Sequence, residues 1–414
     1  MEYYNCYFEG VFWTPENEDS KIIATLNIDD KGIVTISSLQ SLIKGKRMTN
    51  EGWNKLKIVF GYINSHDTSK SYSVKLYNVN QIHQSDGALS KFKYQSSNSL
   101  ISKAFDEDIE NLNFNSIMLN SNIVSQWIPI TGFKWEPNGY EDKNFKVNQL
   151  YEQPKKIEVF KNADYNIYIF FRASAGYPVK RNSYIREEVF FIIETASSFD
   201  LKQLYKSKAT IERLLNIILF VPFYSTNVEF RSSTGSDYID LGKSKELSIG
   251  RSNPLKFKVF QEHSQEIFTK WFEKQKAFEL LIKNFFSVFG QKGVLIENKF
   301  LTYVSVLENY HKNNVKKSAI LKNRLFNILK NSSFNEKIID IDKYAEKLKV
   351  TRNYHAHLEE KHEKNSLDSK GILYSNRILE VIIHEIMLQE LGVSEFKIPQ
   401  SEDKIIGELN KILE

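Results

Sequence analysis

The sequence predicts an α+β fold in two domains: a mainly antiparallel, sandwich-like β domain with at least one helix, followed by an all-α helical bundle. The length of 414 residues exceeds the usual size of one domain. Apolar and polar residues alternate through about the first 200 residues, which is the period of a half-buried strand. After about residue 255 the apolar residues recur every three or four positions, the period of an α-helix. These observations place a β-rich domain at 1–255 and a helical domain at 256–414.

The N-terminal elements are strands separated by turns. The turn-like DDKG predicts a first hairpin, and the polar stretch from Asn162 to Asp164 predicts a second. SKATIERLLNIILFV at 207–221 is typical of a helix and stops before Pro222, which cannot continue it. The predicted strands are KIIATLNI, IVTISSL, KIEVF, YNIYIFF and EEVFFIIET.

The C-terminal region shows five helical patterns, which together predict a compact bundle. Gly290 and Gly392 follow two of them and are suitable residues for ending a helix. The five patterns are QEIFTKWFEKQKAFELLIKNFFSVFG, FLTYVSVLENYH, AILKNRLFNILK, KYAEKLKVTRNYHAHLEEKH and ILYSNRILEVIIHEIMLQELG.

The positive charge is concentrated in the predicted helical domain. The chain has a net charge of +5, and residues 251–414 contain 27 Lys and Arg against 22 Asp and Glu, so this region accounts for the whole excess. No acidic residue occurs between Asn309 and Asn335. Such a stretch attracts a phosphate backbone, although a solvated helix face is the alternative interpretation. The candidate RNA-binding residues are Lys312, Lys316, Lys317, Lys322 and Arg324.

Several classes of protein are disfavoured. Cys6 is the only cysteine, which excludes an internal disulfide framework and a cysteine-rich zinc site. The N-terminus lacks the pattern of a secretory signal, and the longest apolar run, at 214–223, is about half as long as a membrane helix. We therefore expect a cytoplasmic protein without a membrane partner. His355, His357 and His362 lack a clear third ligand geometry, so we expect no metal and no cofactor.

The heptapeptide TRNYHAH at 351–357 carries the most specific chemistry. On a helix Asn353 and His357 are four residues apart and share a face, with Arg352 next to them. RNA cleavage can use these residue types: a guanidinium for the phosphate charge, an amide for orientation and an imidazole for proton transfer. The alternative is an ordinary solvated surface, because an arginine near a histidine is common by chance.

Arg352-Asn353-Tyr354-His355-Ala356-His357 resembles the R-N-x-x-x-H signature of HEPN-domain ribonucleases. The order of FLTYVSVLENYH, a basic helix, VTRNYHAHLE and a long apolar helix is similar to the HEPN domain of the ApeA family of bacterial antiphage proteins. The start of the chain, YFEGVFWTPENEDSKIIATLNIDDKGIVTI, is similar to the N-terminal domain of that family. The middle of the chain is assigned to the same family only because it connects the two similar ends.

The resemblance implies an abortive-infection toxin whose HEPN helices form a homodimer and cut cellular RNA without a metal. Its N-terminal domain is then a sensing or regulatory domain, with a phage component as a further partner. Arg352, Asn353 and His357 carry over as catalytic residues. Glu308, His311 and His355 are the candidate residues for supporting them, and the role of His355, an additional histidine within the motif, is open.

Two other functions remain open at this stage. The first is a non-catalytic HEPN module that binds RNA or nucleotide through the same arginine and basic helix. The second is a ligand-binding β-sandwich with a helical dimerisation domain, in which the motif from Arg352 to His357 is a coincidence. Proton transfer by His357 distinguishes the enzyme from both alternatives.

Overall fold

The computed structural model shows the N-terminal half as antiparallel β-structure and the C-terminal half as helices, which confirms the predicted fold class. The described residues are 5–43, 55–65, 70–85, 90–107, 109–110, 112–137, 147–179, 182–225, 227–241, 255–357, 360–394, 396, 398 and 400–414.

The described strands are β1 Cys6–Trp13, β2 Ile22–Ile28, β3 Val34–Ser38, β4 Lys55–Ser65, β5 Ser71–Ser85, β6 Lys91–Ser102, β7 Phe114–Asn120, β8 Phe133–Pro137, β9 Val147–Tyr151, β10 Ile157–Lys161, β11 Tyr165–Val179, β12 Asn182–Phe199, β13 Asn227–Ser232 and β14 Asp237–Asp240. Twelve of these strands form one sheet, in the order β10-β11-β12-β7-β13-β14-β6-β3-β2-β1-β4-β5, and β8 pairs with β9 in a separate hairpin. Every pairing among them is antiparallel, so the chain changes direction at each neighbour.

Six strands close into a barrel because β5 also pairs with β6. The long strand β6 contacts β5 along one edge, while its other edge pairs first with β3 and then with β14. The barrel is filled by buried apolar side chains, among them Phe8, Leu26 and Tyr94. The structure thus refines the sandwich-like expectation to a closed barrel with an open extension of six further strands.

The predicted hairpins are confirmed together with their turn chemistry. The Asp29 carboxylate accepts hydrogen bonds from the backbone N–H groups of Lys31 and Ile33 at 2.9 and 2.7 Å, and Gly32 takes a φ of 72°. The Oδ1 of Asn162 accepts from two backbone N–H groups in the second turn, those of Asp164 and the next residue, at 2.9 and 2.7 Å. Local side-chain hydrogen bonds of this kind are the reason that Asp and Asn favour turns.

The helical unit buries a core rich in aromatic residues, including Trp271, Phe285, Tyr303 and Tyr344. The helix that starts at Ile341 ends at His357, and a short 3-10 helix occupies Glu360–Asn365, so the predicted helix through residue 362 is shorter than expected. The described helices are α1 Asn122–Trp127, α2 Leu201–Leu219, α3 Phe257–Phe286, α4 Ile296–Asn314, α5 Leu321–Lys330, α6 Ile341–His357, α7 Ser369–Glu390 and α8 Asp403–Leu413.

The end of α7 and the C-terminal helix differ in how well the sequence predicts them. Gly392 has a φ of 90° and its N–H donates to the carbonyl of Gln389 at 2.9 Å, which confirms it as the residue that ends α7. The C-terminal helix α8 was not among the five predicted. Among the helices that the structure describes, none is both long enough and apolar enough to cross a bilayer.

The chain divides into two compact units. The first contains Met1–Thr210 and Tyr224–Ser248, and the second contains Ile211–Phe223 and Ile249–Glu414. The helix α2 therefore starts in the β-rich unit and ends in the helical one. The predicted domain limits at 255 and 256 stay a prediction, and the finding adds that an earlier segment also belongs to the helical unit.

Candidate functional site

The end of α6 presents the TRNYHAH motif and is held in place by a buried threonine. The hydroxyl of Thr351 donates to the carbonyl of Lys347 at 2.7 Å and accepts from the backbone N–H of Leu367 at 2.8 Å. Thr351 itself is fully buried, as are Tyr344 and Leu348 on the same helix. The last turn of α6 is thus anchored to the segment that follows the 3-10 helix, and this anchoring fixes the direction in which the motif points.

The structure brings three side chains of the motif into contact. The Nη1 of Arg352 donates to the Oδ1 of Asn353 at 3.1 Å. The same nitrogen lies 3.2 Å from the Nε2 of His357. Arg352 and Asn353 are half-buried, whereas His357 is exposed. The arrangement agrees with the shared helix face that the spacing predicts, and it leaves the imidazole accessible to a large ligand.

The contact between Arg352 and His357 involves a nitrogen lone pair of the histidine ring. A guanidinium group has hydrogen-bond donors and no acceptor. A hydrogen bond in the 3.2 Å contact therefore has the Nη1 of Arg352 as donor and the Nε2 of His357 as acceptor. The Nε2 lone pair that accepts from Arg352 is also a group that can take a proton from a substrate, as a general base does.

Glu308 on α4 lies behind Arg352. Its Oε2 is 3.8 Å from the Nη2 of Arg352, and its Oε1 accepts a hydrogen bond from the Nη1 of Arg324 on α5 at 2.9 Å. The other arm of Arg324 donates to the carbonyl of Lys317 at 2.9 Å. Three helices therefore meet at one carboxylate next to the motif, while the supporting role of Glu308 stays a prediction.

His311 is buried on α4, three residues after Glu308. It is 1% exposed, and its Nε2 lies 3.4 Å from the Nδ2 of Asn327. Burial, and then the nearby Arg324 guanidinium, lower the pKa of His311 below that of an ordinary histidine. The ring is therefore neutral at physiological pH, and its burial excludes direct contact with a polymer in this conformation.

The other histidines near the motif are arranged differently. The ring of His355 is half-buried and lies 4.8 Å from the ring of Tyr354, measured between centroids. His362 lies on the 3-10 helix beyond α6. Within the described ranges, no group of three or more His, Cys, Asp and Glu side chains is arranged to hold a metal ion.

The five predicted RNA-binding residues fall into two groups. Lys312, Lys316 and Lys317 are exposed at the end of α4 and in the following loop. Lys322 is half-buried and its Nζ lies 2.9 Å from a carboxylate oxygen of Asp342. Arg324 is buried and uses both arms inside the protein, so it is not positioned to reach RNA.

The buried position of Arg324 was missed by grouping it with the surface lysines. A signal was present in the sequence, since Arg324 precedes Leu325 and lies four residues before Ile328, two residues that face the core. A charged residue on the apolar face of a helix indicates a buried ion pair more often than a surface contact. Its partner Glu308 could be identified only from the structure.

A cavity of about 310 Å³ lies on another side of α4, and it contains none of the motif residues. Its walls include Phe278, Leu281 and Val306, and Tyr310 donates to Glu390 at its polar end at 2.8 Å. The motif itself lies on an accessible surface. This position suits a polymer that is bound along its backbone better than a small molecule that must be enclosed.

Comparison with known families gives one match in the N-terminal part of the chain and one in the C-terminal part. The family description "ApeA N-terminal domain 1" matches residues 8–271, and "Apea-like HEPN" matches residues 294–397. No curated protein and no solved structure gives a significant match. The first match covers more than half of the chain and the second contains the whole TRNYHAH motif. The chain belongs to the ApeA family, as the resemblance implied, and its C-terminal region is a HEPN domain of the Apea-like type.

Proposed function

We propose that this protein is an antiphage effector of the abortive-infection type whose HEPN domain is a metal-independent endoribonuclease. The observation that carries the proposal is the contact of Arg352 with both Asn353 and His357 on an accessible surface. In this proposal the protein acts in the cytoplasm and cleaves cellular RNA. The β-rich N-terminal domain senses a phage component and controls the nuclease.

The proposed reaction uses the 2′-hydroxyl of RNA as the nucleophile. A bound phosphate draws the guanidinium of Arg352 away from the Nε2 of His357, which then takes the proton of this hydroxyl while the new oxygen–phosphorus bond forms. Arg352 neutralises the phosphate oxygens, which carry more negative charge in the transition state, and Asn353 orients the guanidinium. The 5′-oxygen leaves with a proton from an acid, giving a 2′,3′-cyclic phosphate and a free 5′-hydroxyl.

A homodimer supplies the acid. The general base and the general acid must lie on opposite sides of the scissile phosphate, whereas the described part of the chain places one Arg352–His357 contact on one helix end. A two-fold axis through the HEPN domains brings a second His357 across the cleft, and two-fold dimers are the commonest oligomers. Each copy then contributes one proton carrier and one cation.

The proposal is tested with purified protein and a short single-stranded RNA that does not need magnesium to fold. We expect cleavage by wild type in excess EDTA, a cyclic phosphate end on the product, and no cleavage by His357→Ala. Loss of cleavage in EDTA that magnesium or manganese restores contradicts the metal-independent reaction. RNA that is bound by wild type and never cut supports the non-catalytic alternative.

The dimer is tested separately. Light scattering gives the mass of the wild type with and without RNA, and titration of His357→Ala into wild type measures dominance after the subunits have exchanged. We expect the activity per wild-type chain to fall as mixed dimers form. A monomer that cleaves at full rate contradicts the shared site and leaves His355 as the candidate for the second proton carrier.

A further inference from the structure

Glu308 is shared by two arginines, and its two contacts are unequal. The contact with Arg324 is a 2.9 Å hydrogen bond, whereas the contact with Arg352 is 3.8 Å long. The side chain of Arg324 is 9% exposed, while those of Glu308 and Arg352 are 25% and 27% exposed. The carboxylate is therefore bound to the buried cation and only faces the accessible one.

Arg324 is fixed by more than Glu308. Its second arm donates to the carbonyl of Lys317 at 2.9 Å, in the loop between α4 and α5. The planar guanidinium is thereby held in one orientation, and it keeps the Oε1 of Glu308 turned toward α5. Glu308 neutralises one of the two arginines, which leaves a net charge of +1 in this group of three side chains.

We infer that Arg324 is a positioning residue that holds Glu308 away from Arg352 and so keeps the Arg352 guanidinium available for the phosphate of the RNA. The inference rests on the proposed function of the same site. Arg324 touches no substrate in this arrangement. It acts through Glu308, because a carboxylate already bound to one arginine competes less effectively with phosphate for the other.

The inference predicts what happens when Arg324 is removed. In Arg324→Gln the carboxylate of Glu308 is left without its partner and pairs with Arg352 at a shorter distance. Phosphate must then displace a bound carboxylate, so we expect RNA affinity to fall roughly tenfold, as when one charge-assisted hydrogen bond is removed. We expect KM to rise and kcat to stay close to the wild-type value, because His357 is unchanged.

The decisive variant is the double substitution Arg324→Gln with Glu308→Gln. The amide that replaces the carboxylate of Glu308 does not compete with phosphate for Arg352, so the double variant is expected to regain RNA affinity although it carries one more substitution than the single variant. A merely structural role of Arg324 predicts the opposite result, because altering a second member of a packed group adds damage. Glu308→Gln alone is expected to bind at least as tightly as wild type.

Two controls separate positioning from net charge and from folding. Arg377→Gln removes an equal charge and breaks a comparable arginine pair, since Arg377 contacts Glu402 at 2.8 Å in the same unit. We expect it to bind RNA like wild type. Arg324→Lys keeps the charge but cannot bond Glu308 and the Lys317 carbonyl with one planar group, so positioning predicts a partial loss and a pure charge effect predicts none.

Binding is measured by fluorescence anisotropy with a labelled oligonucleotide that carries 2′-deoxyribose and cannot be cleaved by the proposed reaction, and cleavage is measured on the matching RNA. Thermal unfolding confirms that each variant is folded. Unchanged affinity in Arg324→Gln, or no recovery in the double variant, overturns the inference. If wild type binds without cleaving, the proposed function fails while the binding series still tests Arg324.

Discussion

His357 and His384 lie in the same helical unit and have opposite surroundings. His357 ends α6, is exposed, and contacts the guanidinium of Arg352. His384 lies inside α7 and is 1% exposed, with its ring stacked on that of Phe220 at 4.0 Å and its Nε2 2.8 Å from the carbonyl of Ile217. Burial lowers the pKa of His384 to about 3, so the ring is neutral and donates this hydrogen bond.

The comparison teaches that the role of a histidine is decided by its partners, which can be distant in sequence. The partner of His357 is five positions away, so its site was visible in the sequence. The backbone partner of His384 is 167 residues away. The two sequence contexts, HAHLEE and IIHEIML, give no indication that one ring faces solvent while the other joins α7 to the segment Ile211–Phe223.

The largest expected effect is the loss of RNA cleavage in His357→Ala. We expect the rate to fall at least 100-fold, because a general base and acid contributes about 10²- to 10⁴-fold. The free energy of unfolding is expected to change by about 0.5 kcal/mol or less, as for an exposed residue outside the core. Initial rates on short RNA and chemical denaturation measure the two quantities.

The matched variant for this prediction is His384→Ala, which is expected to give the opposite result. It removes a buried ring, so stability falls by about 2 to 4 kcal/mol while the folded fraction keeps its cleavage rate. A His357→Ala protein that unfolds early, or one that cuts RNA at the wild-type rate, contradicts the division between the two histidines.

Phe220→Ala tests the stacked pair of Phe220 and His384 by removing the phenylalanine ring. The Phe220 ring contacts the rings of His384, Phe285 and Phe289, and its backbone has a φ of 50°, which is uncommon for a residue with a side chain. Removal of this ring leaves a cavity, so we expect about 3 to 5 kcal/mol of destabilisation. The measurement is urea denaturation of the full chain.

A control for Phe220→Ala is Tyr224→Ala, just beyond the segment Ile211–Phe223, because Tyr224 is 53% exposed. A small effect at Phe220 would mean that this segment is not part of the helical core. A large effect means that the helical unit requires residues that precede its family match, which begins at residue 294.

The prediction of pH dependence follows from the lowered pKa of His384. Between the ordinary histidine value near 6.5 and about 3, the unfolded chain binds a proton that the folded chain does not, so stability is full above pH 6.5 and falls as the pH drops. The expected loss of stability at pH 5 is about 2 kcal/mol. The variant His384→Gln keeps an amide donor for Ile217 and removes the titration.

The change of stability with pH must be compared between wild type and His384→Gln, because buried Glu385 also changes the stability in this pH range. Burial raises the pKa of Glu385, which stabilises the fold toward acid pH and opposes the effect of His384. The difference between the two unfolding curves from pH 7 to pH 5 isolates His384. Parallel curves would show that folding does not lower the pKa of His384.

Local chemistry made part of the fold predictable. The hairpin turn at Asp29 and the helix end at Gly392 depend on hydrogen bonds and φ values within a few residues. The closure of the barrel depends on pairing between β5 and β6 together with the distant pairings β1–β4 and β3–β6, which alternation alone does not determine.

In the candidate site, too, the sequence predicts local contacts better than contacts between distant residues. Arg352, Asn353 and His357 contact one another within a single helix end, and their spacing was sufficient to group them. Arg324 and Glu308 come from different helices, and their ion pair is a tertiary contact across 16 positions. The sequence therefore grouped the motif residues by spacing, and the resemblance supplied their expected roles. Arg324 was grouped with the candidate RNA-binding lysines, whereas the structure places it in a buried ion pair.

The smallest expected effect concerns the exposed lysines of the loop between α4 and α5. Lys317 is joined to the site through its own carbonyl, which binds Arg324, so the loop that carries Lys316 and Lys317 lies against the same group of side chains as Arg352. If these lysines bind RNA phosphates, each single substitution to Gln weakens affinity only a few-fold, and it does so equally for all sequences.

Salt dependence is the sharper measurement. For single-stranded RNA the slope of log affinity against log salt changes by about 0.7 for each phosphate that the protein no longer neutralises, so the pair Lys316→Gln and Lys317→Gln should reduce it by about 1.4. Lys322→Gln is the matched control, because Lys322 is already paired with Asp342. Its removal is therefore expected to change the number of counterions released from the RNA by less than the removal of an unpaired lysine. An unchanged slope in the double variant, or an equal change in Lys322→Gln, would place the RNA backbone on another surface. The proposed cleavage by His357 would not be affected by that result. The cations that bind the RNA backbone would then have to be other lysines and arginines of the helical unit.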